Sequence, residues 1–244
     1  MPGPLIIIPA RFESQRLPGK ALADLGGTPL IVHVWRRAME AAIAPVLVAT
    51  DNARIAKAVQ AAGGTAVLTQ TSHISGSDRI FEALETVDPK GDCDIVINLQ
   101  GDQPLIKAAD LVAVLRPLED PDVDIATLAT PLCSPAERDS PDVVKVVGTP
   151  CCADRLRALY FSRAAVPWGD GPHFHHIGVY AYRRKALSRF VHLPPGTLEA
   201  REKLEQLRAL EAGMRIDAEL VETAVFGVDT PADLERARAF LGSK

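Results

Sequence analysis

Cysteines are few, no long apolar run occurs and neither sign of charge dominates, and each lack removes a class of protein. Cys93, Cys133, Cys151 and Cys152 are the only cysteines in 244 residues. They form no Cys-x-x-Cys pair and no zinc-ligand spacing, so neither a disulfide scaffold nor a structural zinc site is expected. Adjacent Cys151 and Cys152 could in principle oxidise together, but reduced thiols in a cytosolic protein are the simpler expectation. No apolar stretch approaches the roughly 20 residues of a membrane span. The N-terminus has no basic n-region and meets Arg11 after a few apolar residues, so it reads as a first strand and not as a signal peptide. A formal net charge of −4 argues against an electrostatic grip on nucleic acid. Two glycine signatures are also missing. Ser14 stands where a P-loop needs its first glycine and Ala21 follows Lys20 in place of Ser or Thr, and there is no Gly-x-Gly-x-x-Gly. Internal repeats, low-complexity tracts and long charge runs are absent too.

What remains is a chain that can build a core. An apolar fraction of 47% is too high for disorder. A chain this long buries roughly 70–75% of the surface it would expose unfolded. Residues 5–9 (Leu-Ile-Ile-Ile-Pro) have the continuous apolar character of a strand covered on both faces. A helix follows over 29–42, with Pro29 suited to its first turn. Then come a strand over 46–50, a helix over 52–62, a strand over 65–69, a helix from Ser77 as its cap to about 87, and a strand over 94–99. A helix over 108–115 completes the series. This alternation predicts an α/β fold with a mostly parallel open sheet flanked by helices.

The rhythm breaks in the middle third. Residues 125–130, 143–147, 158–162 and 177–182 read as strands with little helix between them, an antiparallel subdomain inserted at about 125–195. An amphipathic helix is expected over 198–211, with Leu204, Leu207 and Leu210 on one stripe and Gly213 as its C-terminal stop. Strands near 220–223 and 225–228 precede a last helix, whose start at Thr230, Pro231 and Asp233 has the form of a capping box. One domain covering 1–244 is the expected organisation.

Ligands of open α/β sheets bind beyond the C-terminal strand ends, where strand order reverses. The loop after the first strand carries Arg11, Ser14, Arg16, Gly19 and Lys20, and this concentration of cations suits a polyphosphate. On composition alone a solvated loop explains it equally well. Asp102 and Asp229 each follow an apolar strand and would emerge at the same sheet edge. Paired carboxylates there suit Mg²⁺, which takes one or two carboxylates and fills its shell with water and phosphate oxygens. A turn aspartate and a helix-entry aspartate are the plainer alternative. Arg163, His176, Tyr180, Glu205 and Gln206 could bind a carboxylated polyol, though each alone reads more simply as structural. The three histidines His173, His175 and His176 lack a carboxylate at usable spacing for a metal site.

Taken together, these motifs resemble the 3-deoxy-manno-octulosonate (Kdo) cytidylyltransferases along nearly the whole chain. The resemblance is carried by Ile-Ile-Pro-Ala-Arg and Arg-Leu-Pro-Gly-Lys in the first loop region and by Val-Ala-Thr-Asp at 48–51. It continues through His73, Ser75-Gly76, Arg79, Gln100-Gly101-Asp102, Val-Lys-Val-Val at 144–147 and Leu-Tyr-Phe-Ser-Arg at 159–163. Pro167-Trp168, His-Ile-Gly-Val-Tyr at 176–180, Leu-Glu-Gln-Leu-Arg at 204–208 and Gly-Val-Asp-Thr-Pro at 227–231 complete it. It implies a nucleotide-diphospho-sugar-transferase-like fold and transfer of CMP from CTP to the anomeric hydroxyl of Kdo for lipopolysaccharide assembly. By the same resemblance, Arg11, Ser14, Arg16 and Lys20 would hold the phosphates. His73, Ser75, Gly76, Arg79 and Gln100 would surround cytidine. Asp102 and Asp229 would bind Mg²⁺, and Arg163, His176, Tyr180, Glu205 and Gln206 would line the sugar pocket. A cytoplasmic homodimer with no membrane or nucleic-acid partner is implied. Three departures stand out: Gln103 and Asp78 where the family usually has Glu, and a short stretch at 169–174. Sister cytidylyltransferases acting on sialic acid, amino-Kdo or methylerythritol phosphate, and a non-catalytic nucleotide-sugar binder, are the alternatives.

Overall fold

The computed structural model describes residues 3–14, 16–222 and 227–242. It divides into two compact units, one made of Met1–Leu111 with Val225–Lys244 and the other of Val112–Ala224.

The first unit follows the expected alternation. Its elements are β1 (Pro4–Ala10), α1 (Leu30–Glu40), β2 (Val46–Thr50), α2 (Ala53–Ala61), β3 (Thr65–Leu68), α3 (Gly76–Val87) and β4 (Ile95–Leu99). The strands lie in the order β3-β2-β1-β4 and every pair is parallel. Ile6, Ile7 and Ile8 are fully buried, as are Val96, Ile97 and Leu99, so neither strand shows polar alternation. Order therefore reverses between β1 and β4, and the loops leaving these two strands flank the switch point. Local chemistry sets the helix starts. Asn52 Oδ1 accepts from Arg54 N at 2.9 Å, and α1 begins directly after Pro29. For α3 the cap is Ser75, not the expected Ser77, which is buried inside the first turn.

After α4 (Ala108–Ala113) the second unit contains β5 (Ile125–Pro131), α5 (Pro135–Asp139), β6 (Lys145–Cys152), β7 (Arg155–Ser162), β8 (Phe174–Arg183), α6 (Arg184–Val191), α7 (Thr197–Glu202), α8 (Leu207–Glu211) and β9 (Ile216–Leu220). Its strands run β8-β5-β9-β7-β6, and a further β6–β8 pairing closes the circuit. All these pairs are antiparallel except β5–β9. The mostly parallel expectation thus holds for the first unit, while the second is antiparallel with one parallel pair.

The single helix expected over 198–211 is two short ones, and Lys203 between them has a left-handed φ of 55°. Arg208 makes a two-pronged bond to Glu199, Nε to Oε2 at 2.8 Å and Nη2 to Oε1 at 2.7 Å. Glu211 accepts from Leu198 N at 3.1 and 3.2 Å. Partners nine and thirteen residues apart would sit about 13 and 20 Å apart along one helix, so these bonds require the chain to fold back. The strand expected at 220–223 lies earlier, as β9. Of the one expected at 225–228, residues 225 and 226 lie outside the described residues, and Val228 is buried but not in a strand. The closing helix α9 (Pro231–Gly242) has the expected capping box. Asp233 N donates to Thr230 Oγ1 at 3.2 Å, and Thr230 N donates to Asp233 Oδ2 at 2.9 Å.

One buried charge organises the second unit. Lys145 is fully buried, and its three ammonium hydrogens find the carbonyls of Ser140 (2.8 Å), Val143 (2.6 Å) and Arg163 (2.6 Å). Replacing Lys145 by Met keeps the stem but strands three carbonyls without a donor. The loss expected in urea unfolding is about 2–4 kcal/mol.

Candidate active site

All the nucleotide-side residues expected from the sequence come together in the first unit. A cavity of about 540 Å³ is lined by Arg11, Ser14, Arg16 and Lys20 from the loop after β1 and by His73, Ser75, Gly76 and Arg79 from the entry to α3. Gln100, Gly101 and Asp102 after β4 and Asp229 before α9 complete the wall. Gly101 is needed for this closeness: a Cβ there would sit 2.8 Å from the Pro9 carbonyl oxygen.

The two aspartates meet through the backbone as well as the side chains. Val228 N donates to the Asp102 carbonyl at 2.8 Å. Lys20 Nζ lies 2.8 Å from Asp102 Oδ2 and 2.9 Å from Asp229 Oδ1, and Arg16 Nη2 is 2.9 Å from Asp229 Oδ2. Burial works against the Lys20 charge, but the two carboxylates outweigh it and hold its pKa above the usual value. Lys20 faces the aspartates from the loop to which the resemblance assigns the phosphates.

Further carboxylates, given no role from the sequence, brace the nucleotide side. Asp51 accepts from Phe12 N at 3.0 Å with one oxygen and from Arg79 Nη2 at 2.8 Å with the other. It thereby ties the first loop to the end of β2 and to α3. Arg79 is itself nearly buried and also donates to Thr69 Oγ1 at 2.6 Å. Glu82 holds His73 Nε2 and accepts from Gln70 N at 3.0 Å. Burial would raise the Glu82 pKa, but these bonds outweigh it and lower the pKa. The departure at Asp78 is harmless to the cap: its carboxylate reaches Ser75 N at 3.3 Å and Ser75 Oγ at 2.9 Å. Gln103 is buried beside Asp102 in sequence, and its Oε1 has no hydrogen-bond partner among the described residues.

The expected sugar-side residues all lie in the second unit. The Arg163 guanidinium donates to the carbonyls of Glu202 and Pro141, both at 3.0 Å. Glu202, another residue without a motif, accepts from Ser162 Oγ at 2.9 Å, Arg163 N at 3.0 Å and Tyr160 OH at 3.3 Å. Glu205 and Gln206 occupy the turn between α7 and α8, not the face of a helix. The His176 ring packs 4.9 Å from Phe161 and 5.4 Å from Tyr180. Burial, followed by the charges of Tyr182 and Glu205, pushes the Tyr180 pKa well above its usual value.

Residues 5–216 match the family model described as Cytidylyltransferase. The 3-deoxy-manno-octulosonate cytidylyltransferase of Methylobacterium radiotolerans is 64% identical, over 99% of this chain and 98% of that protein. The enzyme of the same name from Rhodopseudomonas palustris is 61% identical over the same shares. The chain belongs to the 3-deoxy-manno-octulosonate cytidylyltransferase family. A solved CMP:2-keto-3-deoxy-manno-octonic acid synthetase complexed with CTP superposes with a TM-score of 0.91 at 43% identity, covering 99% of both chains. A 4-diphosphocytidyl-2C-methyl-D-erythritol synthase from Anaerococcus prevotii, at a TM-score of 0.64 and 13% identity over 99% of both chains, shares the fold alone.

Within this cytidylyltransferase, His176 carries a pH signature. Thr127 Oγ1 lies 2.8 Å from the Val179 carbonyl and 3.2 Å from the Ile177 carbonyl, which can only accept its hydroxyl hydrogen, and 3.0 Å from His176 Nε2. Burial first, and the charge of neighbouring His175 second, push the His176 pKa down to about 3. The unfolded chain takes up a proton near pH 6.5 that the folded one refuses. The resulting stability is complete above pH 6.5 and is lost as pH falls toward 3. Between pH 7 and pH 5 this group alone should remove about 2 kcal/mol in urea unfolding. His176→Asn should lack that part of the slope.

Proposed function

We propose that this chain transfers CMP from CTP to the anomeric hydroxyl of 3-deoxy-D-manno-octulosonate, releasing pyrophosphate, in lipopolysaccharide biosynthesis. The observation that carries the reading is the cavity at the β1/β4 switch point, where a cationic loop and two carboxylates converge in a chain of this family. The anomeric oxygen attacks the α-phosphorus, the bond from that phosphorus to the bridging oxygen breaks, and the hydroxyl proton is lost. Such a reaction asks a protein for positioning and charge neutralisation more than for covalent chemistry.

Arg11 and Arg16 supply forked donors for phosphate oxygens, and Ser14 a hydroxyl between them. His73, held by Glu82, and Arg79, held by Asp51, form the more buried wall with Gln100, where the nucleoside would lie. The donor set at the other wall fits Mg²⁺. Two carboxylates converge on one cationic nitrogen at 2.8 and 2.9 Å, and among the described residues no group of three or more His, Cys, Asp or Glu forms a complete protein cage. A hard cation held by two carboxylates needs water and phosphate oxygens for its remaining positions. Asp102 and Asp229 would hold this ion, which when bound neutralises developing charge on the phosphates and lowers the pKa of a coordinated hydroxyl.

Arg163, His176, Tyr180, Glu205 and Gln206 are assigned to the sugar acid on the family resemblance. Arg163 retains guanidinium donors beyond the two bonded to carbonyls, and a carboxylated polyol suits them. We assign the enzyme to the cytoplasm as a homodimer. Support comes from four free cysteines for the compartment and from the outward-facing Leu159 and Trp168 in the second unit for the dimer. Light scattering at twice the chain mass checks the dimer.

Pyrophosphate release should require CTP, a divalent cation and Kdo, with UTP and ATP as poor donors. An acceptor panel that turned over sialic acid or methylerythritol phosphate in preference to Kdo would sink the substrate assignment. Asp102→Asn should fold normally by circular dichroism yet lose about 1,000-fold in kcat.

A further inference from the structure

The aspartate pair already carries a cation of its own. Two carboxylates brought together by the fold repel unless something positive stands between them. Lys20 Nζ bridges them, at 2.8 Å from Asp102 and 2.9 Å from Asp229. Its placement is built into the backbone. Gly19, at φ 67°, turns the chain into the short 3-10 turn Lys20–Leu22, and Lys20 N is tied to the Leu17 carbonyl at 3.0 Å. Arg16 takes the second oxygen of Asp229, so among the described residues the bridge to Asp102 is left to Lys20 alone.

An ammonium and a divalent ion compete for the same two oxygens. A tethered cation competes at a high effective concentration. We propose that Lys20 is the resident counter-ion of the metal-ligand pair, which must leave when the metal enters and whose ammonium is thereby freed for the anionic substrate. This rests on the reading of Asp102 and Asp229 as metal ligands. It makes Lys20 a positioning residue with two stations: it keeps the carboxylates together before loading, and it weakens their hold on metal in the absence of nucleotide. The metal itself alters where Lys20 can stand, and by linkage Lys20 alters the affinity for metal by the same factor.

The test uses Mn²⁺ as the probe on the full chain without nucleotide, with free Mn²⁺ read by electron paramagnetic resonance. Lys20→Met should bind Mn²⁺ about tenfold more tightly than the wild type, within the usual span of coupled sites. Its melting temperature should rise more on adding Mg²⁺ than the wild type's, because the metal then relieves a carboxylate pair whose bridging cation has been removed. Lys20→Gln repeats both measurements should the Met variant fold poorly. In the unmutated protein, the ¹⁵N ammonium resonance of Lys20 should move as Mg²⁺ is titrated in. Equal Mn²⁺ affinity in the wild type and the Lys20 variants, or a Lys20 resonance unmoved at saturating Mg²⁺, overturns the counter-ion role. If Asp102→Asn still weakens Mn²⁺ binding in that case, the metal reading stands without it. Mn²⁺ binding that is indifferent to Asp102→Asn overturns both.

Discussion

Asp102 and Asp229 are brought side by side from distant parts of the chain, and like charges at that distance need a cation. Lys20 supplies it, and much of the first unit can be understood as the framework for that meeting. Parallel β1 and β4 are neighbours, so the loops that leave them start from the same edge. Gly101 lets the second loop pass against the Pro9 carbonyl where any side chain would collide. The Val228–Asp102 backbone bond then aligns the returning C-terminal segment, and the Thr230–Asp233 cap fixes where α9 begins behind Asp229. Each device is local, but none has a purpose apart from the others.

The rest of the cavity is organised by carboxylates that hold cations in place. Asp51 fixes Arg79 and the backbone of Phe12, and Glu82 fixes His73. A flexible Arg or an unconstrained imidazole loses rotamer freedom when it meets a ligand; one already tied to a carboxylate has lost it on folding. The second unit applies the same principle with other partners. Glu202 collects three donors at the end of β7, and the Lys145 ammonium collects three carbonyls, that of Arg163 among them. His176, in contrast, is held neutral among aromatic rings, where burial outweighs its basicity. Charge is thus bound where it can be paired and suppressed where it cannot.

Much of this was legible beforehand, for identifiable reasons. Continuous apolar strands separated by periodic helices give a parallel sheet, and the loop after such a strand is where ligands bind, so Arg11, Arg16, Lys20 and Asp102 could be singled out from order alone. Thr230 and Asp233 announce their cap because that motif spans only a few residues. Asp51, Glu82 and Glu202 were missed as site residues, since a carboxylate's partner in another element leaves no spacing to read. The helix expected over 198–211 failed for a related cause. Its apolar stripe is real, with Leu204 and Leu207 buried, but the Arg208–Glu199 and Glu211–Leu198 bonds favour a hairpin that propensity does not register.

By itself, then, the sequence determined the classes of element, the strand ends that carry chemistry, the lack of disulfide and membrane-span patterns, and the family. These follow from local periodicity, from composition and from motifs confined to short stretches. Only the tertiary structure decided that strand order reverses between β1 and β4, that β6 closes on β8, and that Lys20 lies between the two aspartates. Those outcomes depend on which distant segments pack together, and the free energy that selects them comes from burial and ion pairing across the fold. No window of neighbouring residues contains that information.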